Sequence, residues 1–310
     1  MVKNVLVIGL GAVGTIFASK TLNCKDFNLY VLIDEKRKEK YEKKQTSVNN
    51  KRYDFNYVFP KNEKNLTIDL IIIAIKSYAL EEAMEMIKNY VSDNTIIISL
   101  LNGIDSEDKL CEIYGKEKVV YSVLIGLSNK VENEITYGEN TTVYFGDLDG
   151  NNNTSRILNL KEYFEKINIL YKISNNIKYA MWQKLMINVG FNQATALIGS
   201  NYNVINKGTK TVEFAIKLMR EVECIAKKAG IDNVENMLKN CLEITKSMPV
   251  YAKTSMLQDV ESKRQVEVEI FSGTVCKLGK KYDVITPYND IVYEILTAIN
   301  EKNNIESFNY

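Results

Sequence analysis

The segment Gly9-Leu10-Gly11-Ala12-Val13-Gly14 is the feature that most constrains how this 310-residue chain can fold. It is a G-x-G-x-x-G sequence that joins the apolar run VKNVLVI to a helix-like stretch. A buried strand, a glycine turn and a helix in this order begin a β-α-β unit that binds a dinucleotide. The first glycine allows the tight turn, the second lets the backbone approach a pyrophosphate, and the third packs the helix against the strand. We therefore expect residues 9–14 to bind a dinucleotide cofactor.

Apolar runs alternate with helix-like stretches through the first part of the chain, at intervals of about 25–30 residues. This alternation predicts an α/β fold with a Rossmann-type, doubly wound parallel sheet. Residues 134–149 predict an antiparallel hairpin, and residues 157–166 and 169–174 predict a helix and a short strand. The runs that predict buried parallel strands are residues 2–9, 27–34, 68–76, 94–103 and 118–126.

The pattern changes near residue 176, after which only helical periodicity is found. We predict two domains: an NAD(P)-binding Rossmann-type domain at residues 1–175 and an all-helical domain for substrate binding and catalysis at residues 176–310. The helices of the second domain are predicted at residues 177–198, 209–229, 234–246, 263–281 and 288–302.

Charge and composition narrow the range of partners. The net charge is +1, so there is no electrostatic argument for binding nucleic acid or an anionic membrane. No apolar run reaches the roughly 18 residues of a transmembrane helix, and the first residues resemble a strand rather than a signal peptide. Five cysteines without a C-x-x-C pair are typical of free thiols in a reducing compartment. We expect a cytoplasmic protein that acts on a small molecule.

The chain contains no histidine. This excludes a histidine-based catalytic triad, a histidine general acid and most zinc sites. We expect no metal site, and any acid–base chemistry must use lysine, aspartate, glutamate, tyrosine or cysteine.

The end of the second predicted strand bears on the choice of cofactor. Asp34 follows Gly14 by 20 residues and is placed to accept a hydrogen bond from a ribose 2′-hydroxyl, which favours NAD. Lys36, Arg37 and Lys38 follow at once and could neutralise a 2′-phosphate, which favours NADP. These cations could equally form a solvated helix face, so the residues leave the choice open.

Three polar residues lie four apart in the stretch MWQKLMINVGFNQATAL, namely Lys184, Asn188 and Asn192. Four residues of α-helix advance by about 400°, so these side chains share one face of an otherwise apolar helix. One interpretation is a buried polar row satisfied by neighbouring backbone. The other is a catalytic row, because desolvation lowers the pKa of a lysine towards that of a general acid working near neutral pH.

Further polar residues lie in two places. Some end predicted strands, where ligands bind in an open parallel sheet, and others lie in the predicted helical domain. Lys76 and Asn102-Gly103 end two predicted strands, although they could be a surface lysine and an ordinary turn. Ser255 opens a predicted helix and could be its N-cap. Glu267 and Glu269 begin the next helical run and could be surface carboxylates.

Together these motifs resemble the ketopantoate reductase family, in the wider 6-phosphogluconate-dehydrogenase-like group. The resemblance covers nearly the whole chain. The matching elements are GLGAVG, Lys76, Asn102-Gly103, the W-x-K-x-x-x-N-x-x-x-N pattern of Trp182 to Asn192, and SMLQD at Ser255–Asp259 with Glu267 and Gly273.

The resemblance implies a role for each residue. Lys184 is the implied general acid, and Glu267 is implied to lie near the substrate and the lysine as a second catalytic residue. Substrate hydrogen bonds are implied for Asn102, Asn188, Asn192 and Ser255. Cofactor contacts are implied for Lys76 and again for Asn102, in addition to the glycine loop, Asp34 and Arg37.

The implied reaction is NADPH-dependent reduction of ketopantoate to (R)-pantoate, with NADH as an alternative cofactor. Leu101 and Ala252 stand where the family often has glutamine and asparagine, so reduction of another small 2-oxo acid is a second hypothesis. A dinucleotide-sensing protein without catalysis is a third. The helix predicted at residues 209–229 is a candidate dimer interface.

Overall fold

The computed structural model describes residues 1–43, 46–62, 64–126, 128–131, 134–138 and 141–307. The chain divides into two compact units, Met1–Ile177 and Lys178–Tyr310. Within the described ranges, no helix combines the length and apolar character needed to cross a membrane.

Strands of the first unit form two sheets. In its described part these strands are β1 (Asn4–Ile8), β2 (Asn28–Leu32), β3 (Thr46–Val48), β4 (Lys51–Tyr53), β5 (Tyr57–Val58), β6 (Leu70–Ile73), β7 (Ile96–Ser99), β8 (Val119–Ile125), β9 (Ser128–Val131), β10 (Glu134–Tyr137), β11 (Thr142–Gly146) and β12 (Leu170–Ile173). The helices are α1 (Ala12–Asn23), α2 (Lys38–Lys43), α3 (Leu80–Ile87), α4 (Ser106–Tyr114) and α5 (Ser155–Lys166).

The larger sheet has eight strands in the order β12-β11-β8-β7-β6-β1-β2-β5. The six strands from β8 to β5 run parallel, β11 is antiparallel to β8, and β12 is parallel to β11. Every residue of β6 and β7 is buried, as expected for strands covered on both faces. Residues of α1 and α5 pack on one face, and residues of α3 and α4 pack on the other. The predicted doubly wound α/β fold is confirmed.

The predicted hairpin at residues 134–149 is wrong in its pairing, and residues 139 and 140 of it lie outside the described residues. β11 pairs with β8, whereas β10 joins a small sheet of order β4-β3-β10-β9. Apolar side chains explain this placement, because Val48 and Ile135 of the small sheet enter the same core as Ile16 and Phe17 of α1.

The second unit is helical in its described part, as predicted. Its helices are α6 (Ile177–Ile187, which begins on the last residue of the first unit), α7 (Gln193–Ile198), α8 (Asn203–Asn206), α9 (Lys210–Lys228), α10 (Met237–Lys246), α11 (Ser255–Glu261), α12 (Ser272–Tyr282) and α13 (Pro287–Ser307).

Two helix predictions need correction. A helix over residues 263–281 is wrong, because Lys263 adopts a left-handed conformation with φ of 52° that stops α11, and α12 begins only at Ser272. The stretch 177–198 is helical, but it is not α-helical throughout. Residues Asn188–Asn192 form a single wide π-helical turn between α6 and α7, which we call the π-turn.

Candidate active site

The glycine loop follows β1 and is shaped by close backbone contacts. Gly9 has φ of 97°, and a methyl group added to it would overlap the carbonyl of Ala74. A methyl group on Gly14 would overlap the carbonyl of Gly9. These two positions therefore accept only glycine, and they bring the start of α1 directly against the loop.

The amino end of α1 suits an anion. Gly11 is the N-cap residue and has no side chain to cap the helix, and the first turn carries no acidic residue. The first backbone hydrogen bond runs from Thr15 N–H to the Gly11 carbonyl at 3.1 Å. The N–H groups of residues 12–14 thus have no acceptor within the helix and, with the helix dipole, fit a pyrophosphate.

A pocket beside this loop brings together four of the residues selected from the sequence. Asp34 and Arg37 both line it, together with Gly9 and Leu10. Asp34 Oδ1 accepts a hydrogen bond from the Lys36 backbone N–H at 3.0 Å. The pocket, which we call the Asp34 pocket, therefore offers both a carboxylate for a ribose hydroxyl and a guanidinium for a 2′-phosphate.

Two polar residues that the sequence did not single out also line the Asp34 pocket, Tyr41 and Glu82. Both belong to helices whose charged residues look like ordinary solvated faces. No local pattern distinguishes them, because the pocket forms only when the strand order of the sheet brings these helices beside the loop.

Lys76 and Asn102 lie at the same edge of the sheet as the glycine loop. They follow β6 and β7, which run parallel to each other and to β1. Gly103 has φ of 100°, which explains why glycine follows Asn102 at this turn. Neither Lys76 nor Asn102 is among the described residues that line the Asp34 pocket. Their location at the carboxyl edge is nevertheless where ligands of such sheets bind.

In the second unit, the structure joins three predicted site residues. Asn192 Nδ2 donates to Asn188 Oδ1 at 3.1 Å and lies 3.4 Å from Ser255 Oγ. Asn188 is only 1% exposed, and its Nδ2 has no hydrogen-bond partner within the described part of the chain. Because a buried amide donor without an acceptor costs roughly 1–3 kcal/mol, Asn188 is suited to donate to a ligand.

Lys184 precedes the π-turn in α6. Its side chain is partly accessible, but its surroundings desolvate the ammonium and lower its pKa to about 8. Trp182, Leu185 and Met186 beside it are all buried. The ammonium is thus protonated at neutral pH and can release its proton more readily than an ordinary lysine.

The structure corrects the interpretation of Ser255 as a helix N-cap. The N-cap of α11 is Thr254, whose Oγ1 accepts from Leu257 N–H at 3.3 Å and also lies 2.9 Å from Thr195 Oγ1. Ser255 itself is exposed and is not the cap. Its hydroxyl is therefore available for the contact with Asn192.

The two candidate carboxylates differ in burial. Glu267 is buried at 7% exposure and precedes the short helical turn Val268–Ile270, so its interpretation as a surface carboxylate is wrong. Glu269 is exposed and accepts a hydrogen bond from the Tyr293 hydroxyl at 2.7 Å. Of the two, only Glu267 has the environment of a site residue.

A buried carboxyl in the first unit escaped the sequence interpretation. Glu107 is 2% exposed in α4, a few residues after Asn102, and burial raises its pKa to about 7. Ser106 Oγ lies 2.8 Å from Glu107 Oε2 and 2.9 Å from Ser99 Oγ. In the sequence, Glu107 looks like a common exposed acid in the first turn of a helix.

Comparison with known proteins gives consistent matches. The family model described as "Ketopantoate reductase PanE/ApbA" matches residues 5–150, and the model described as "Ketopantoate reductase PanE/ApbA C terminal" matches residues 176–300. The chain is 30% identical over 239 residues to a 2-dehydropantoate 2-reductase from Aquifex aeolicus, which covers 74% of this chain and 76% of the relative.

Solved structures share the fold. A D-mandelate dehydrogenase in complex with NADH and anilino(oxo)acetate superposes with a TM-score of 0.85 and 21% identity, covering 97% of this chain and 99% of the other. A dimeric ketopantoate reductase from Staphylococcus aureus superposes with a TM-score of 0.78 and 20% identity, with the same coverage.

Proposed function

Because the chain belongs to the ketopantoate reductase family, we propose that it is a 2-dehydropantoate 2-reductase that uses NADPH to reduce ketopantoate to (R)-pantoate. Family membership makes it an NAD(P)H-dependent oxidoreductase that acts on a CH–OH group. The observation that carries the proposal is the desolvated ammonium of Lys184, one turn before the buried Asn188 amide nitrogen, which has no hydrogen-bond partner among the described residues.

The cofactor, when bound, supplies the hydride that reduces the substrate carbonyl. In the proposal, the N–H groups of residues 9–14 hold its pyrophosphate, and Asp34 and Arg37 hold the adenosine ribose and its phosphate. Lys76 and Asn102 contact the cofactor from the ends of β6 and β7. The glycine loop and the amino end of α1 support this assignment, since both fit an anionic group.

Lys184 is the proposed general acid. As the carbon of the carbonyl gains hydride, the electron pair of the C=O bond moves to oxygen, which takes the proton of the Lys184 ammonium. A positioned cation lowers this barrier because negative charge develops on that oxygen. Asn188, Asn192 and Ser255 are proposed to hold the substrate by hydrogen bonds. Glu267 is proposed to keep Lys184 charged or to take part in the proton transfer.

Substrate and cofactor are tested together by oxidation of NADPH and of NADH with ketopantoate, pyruvate and other small 2-oxo acids. The proposal expects the highest kcat/KM for NADPH with ketopantoate. A rate with ketopantoate at the background level contradicts it.

A second candidate function is the reduction of another 2-oxo acid. Two observations favour it: Leu101 is a buried apolar residue beside Asn102, and Ala252 stands three residues before Ser255. Neither side chain can hydrogen-bond a substrate carboxylate. The structural likeness to D-mandelate dehydrogenase gives a concrete alternative substrate to include, an aromatic 2-oxo acid.

The proposal assigns cofactor binding to residues 1–175 and substrate binding with catalysis to residues 176–310. It places the protein in the cytoplasm, where its five unpaired thiols persist. It also includes a homodimer, since a family member from S. aureus is dimeric. The exposed side of α9 is mostly charged, whereas α13 exposes Tyr288, Ile291 and Ile295 in a row. We therefore propose α13 rather than α9 as the dimer interface.

A further inference from the structure

The π-turn has an unusual hydrogen-bond arrangement at Gln193, the residue that follows it. In an α-helix the carbonyl of Val189 accepts from the N–H of Gln193. Here the Gln193 N–H bonds to the carbonyls of Asn188 and Gly190 instead. The side chain of Gln193 takes over, because its Nε2 donates to the Val189 carbonyl at 2.8 Å. The Gln193 side chain thus makes the hydrogen bond to the Val189 carbonyl that its own backbone N–H does not make.

The other end of the same amide reaches a different segment. Gln193 Oε1 accepts from the Ser272 backbone N–H at 3.1 Å and from the Ser272 hydroxyl at 2.7 Å. Both residues are fully buried. Ser272 is the first residue of α12, five residues after Glu267. One amide therefore joins the π-turn to the end of the segment that carries Glu267.

A second buried acceptor lies near Ser272. The Ser272 hydroxyl, which has one proton to donate, lies 3.1 Å from Asn289 Oδ1, and Asn289 Nδ2 donates to Glu221 Oε2 at 2.7 Å. Glu221 also accepts from the backbone N–H of Asn289 at 3.0 Å. Buried polar groups of α9 and of the start of α13 thus surround Ser272, the partner of Gln193.

The width of the π-turn also depends on packing against α9. A methyl group on Gly190 would overlap the side chain of Met219. Gly190 therefore permits the close approach, and Gln193 satisfies the carbonyl that the wide turn exposes. Wide turns of this kind are frequent at functional sites.

We propose that Gln193 is a positioning residue that holds the π-turn, and with it the side chains of Asn188 and Asn192, in fixed register with the segment that carries Glu267. The inference rests on the proposed function in so far as Asn188 and Asn192 bind its substrate and Glu267 takes part in its catalysis. Removing the amide takes one hydrogen bond from the Val189 carbonyl and the Gln193 Oε1 acceptor from the Ser272 N–H, both in a buried region. Both segments must then shift to recover hydrogen bonds.

The test compares Gln193→Met with two matched controls. Gln183→Met makes the same change at a partly exposed position in the same helical stretch. Thr245→Val removes a different buried hydrogen bond, from Thr245 Oγ1 to the Cys241 carbonyl at 2.6 Å in α10. The readouts are Tm, amide hydrogen exchange of residues 188–193 without substrate, kcat, KM for the 2-oxo acid, and Kd for NADPH.

We expect Gln193→Met to speed amide exchange in the π-turn and to lower kcat by about tenfold or more, since small displacements at an active site reduce rates strongly. KM for the 2-oxo acid rises, while Kd for NADPH, which the first unit binds, stays unchanged. Gln183→Met behaves as the wild type, and Thr245→Val lowers Tm without the loss in kcat.

Gln193→Glu provides a rescue. When protonated, its carboxyl can donate to Val189 and accept from Ser272, so its activity relative to the wild type is expected to recover from pH 8 to pH 6. Wild-type kcat and exchange in Gln193→Met overturn the proposal, and so does a loss in kcat that Thr245→Val reproduces at equal Tm. A wild-type enzyme that reduces no 2-oxo acid overturns the proposed function instead, and amide exchange then decides the role of Gln193.

Discussion

The side-chain amide of Asn192 donates to the side-chain oxygen of Asn188 at 3.1 Å, and the Asn188 amide nitrogen is a buried donor without a partner in the described part of the chain. Asn192 is itself directed by this bond and by its contact with Ser255. The pair therefore presents a donor next to the turn that carries Lys184. Under the proposed function, an oxygen of the substrate is the acceptor for this amide nitrogen.

Replacement of Lys184 tests the proposed general acid. We expect Lys184→Ala to lower kcat by about 10²-fold or more, the scale of general acid catalysis, with little change in the affinity for NADPH. Steady-state kinetics and a fluorescence titration with NADPH measure the two effects. Lys178→Ala is the matched control, because Lys178 is exposed on the same helix. An unchanged kcat in Lys184→Ala excludes the mechanism.

The pH dependence of the reaction follows from the pKa of Lys184, which desolvation lowers to about 8. The acid must be protonated to give its proton, so kcat/KM for the 2-oxo acid, which reports groups of the enzyme before this substrate binds, is expected to be constant well below pH 8. Above pH 8, kcat/KM falls about tenfold for each further pH unit, as the protonated fraction does. The profile is measured with saturating NADPH and varied concentrations of 2-oxo acid. The residual activity of Lys184→Ala should not decline above pH 8. A decline that persists in this variant shows that another group causes it.

The parts of this structure that the sequence predicts are those with a strong local pattern. β6 and β7 are apolar at nearly every position, and Gly9 and Gly14 have the spacing that a β-α turn requires. Strands β3, β4 and β5 are three residues or shorter, which is too short to show a period of two. Their pairing depends on the core that they share with α1.

The candidate site residues show a pattern in the sequence, but their geometry does not. The spacing of Lys184, Asn188 and Asn192 indicates one helix face, but nothing in the letters NVGFN distinguishes a π-turn from an α-helix. The wide turn comes from contact between Gly190 and α9 and from the bonds of Gln193, which involve residues distant in sequence. Glu107 was missed for the same reason, since only the packing of α4 buries it.

Arg37 tests the choice of cofactor. If its guanidinium binds a 2′-phosphate, Arg37→Ala should lower kcat/KM for NADPH about tenfold or more, as expected for a charge-assisted hydrogen bond of about 1.5–3 kcal/mol. kcat/KM for NADH should change little. Lys36→Ala serves as the control, because Lys36 is adjacent but is not among the described residues lining the Asp34 pocket. Equal losses with both cofactors contradict a role in phosphate recognition.

Glu107 predicts a pH dependence of stability. Its pKa is raised from 4.5 to about 7 by burial, so between these values the folded state retains a proton that the unfolded chain releases. The free energy of unfolding therefore falls as pH rises from about 4.5 to about 7, by about 3 kcal/mol, and this contribution changes no further above pH 7.

The variant Glu107→Gln stays uncharged and should lose this part of the pH dependence. Urea unfolding at pH 5 to pH 8 measures it, with Glu112→Gln as the control, since Glu112 is exposed on the same helix. We expect Glu107→Gln to gain stability relative to the wild type as pH rises. If the free energy of unfolding of the wild type and that of Glu107→Gln change with pH in parallel over this range, Glu107 is not protonated in the folded protein at pH 5.

The apolar row on α13 predicts the assembly state. Tyr288, Ile291 and Ile295 are 38%, 56% and 44% exposed, and their spacing of three and four residues places them on one side of the helix. A row of this kind is stabilised when it packs against a second copy, because apolar surface leaves water. Light scattering should give twice the chain mass of 35.5 kDa for the wild type and one chain mass for Ile291→Glu. Ile113→Glu, at an exposed site on α4, should leave the dimer intact. A monomeric wild type, or a dimer that survives Ile291→Glu, excludes α13 as the interface.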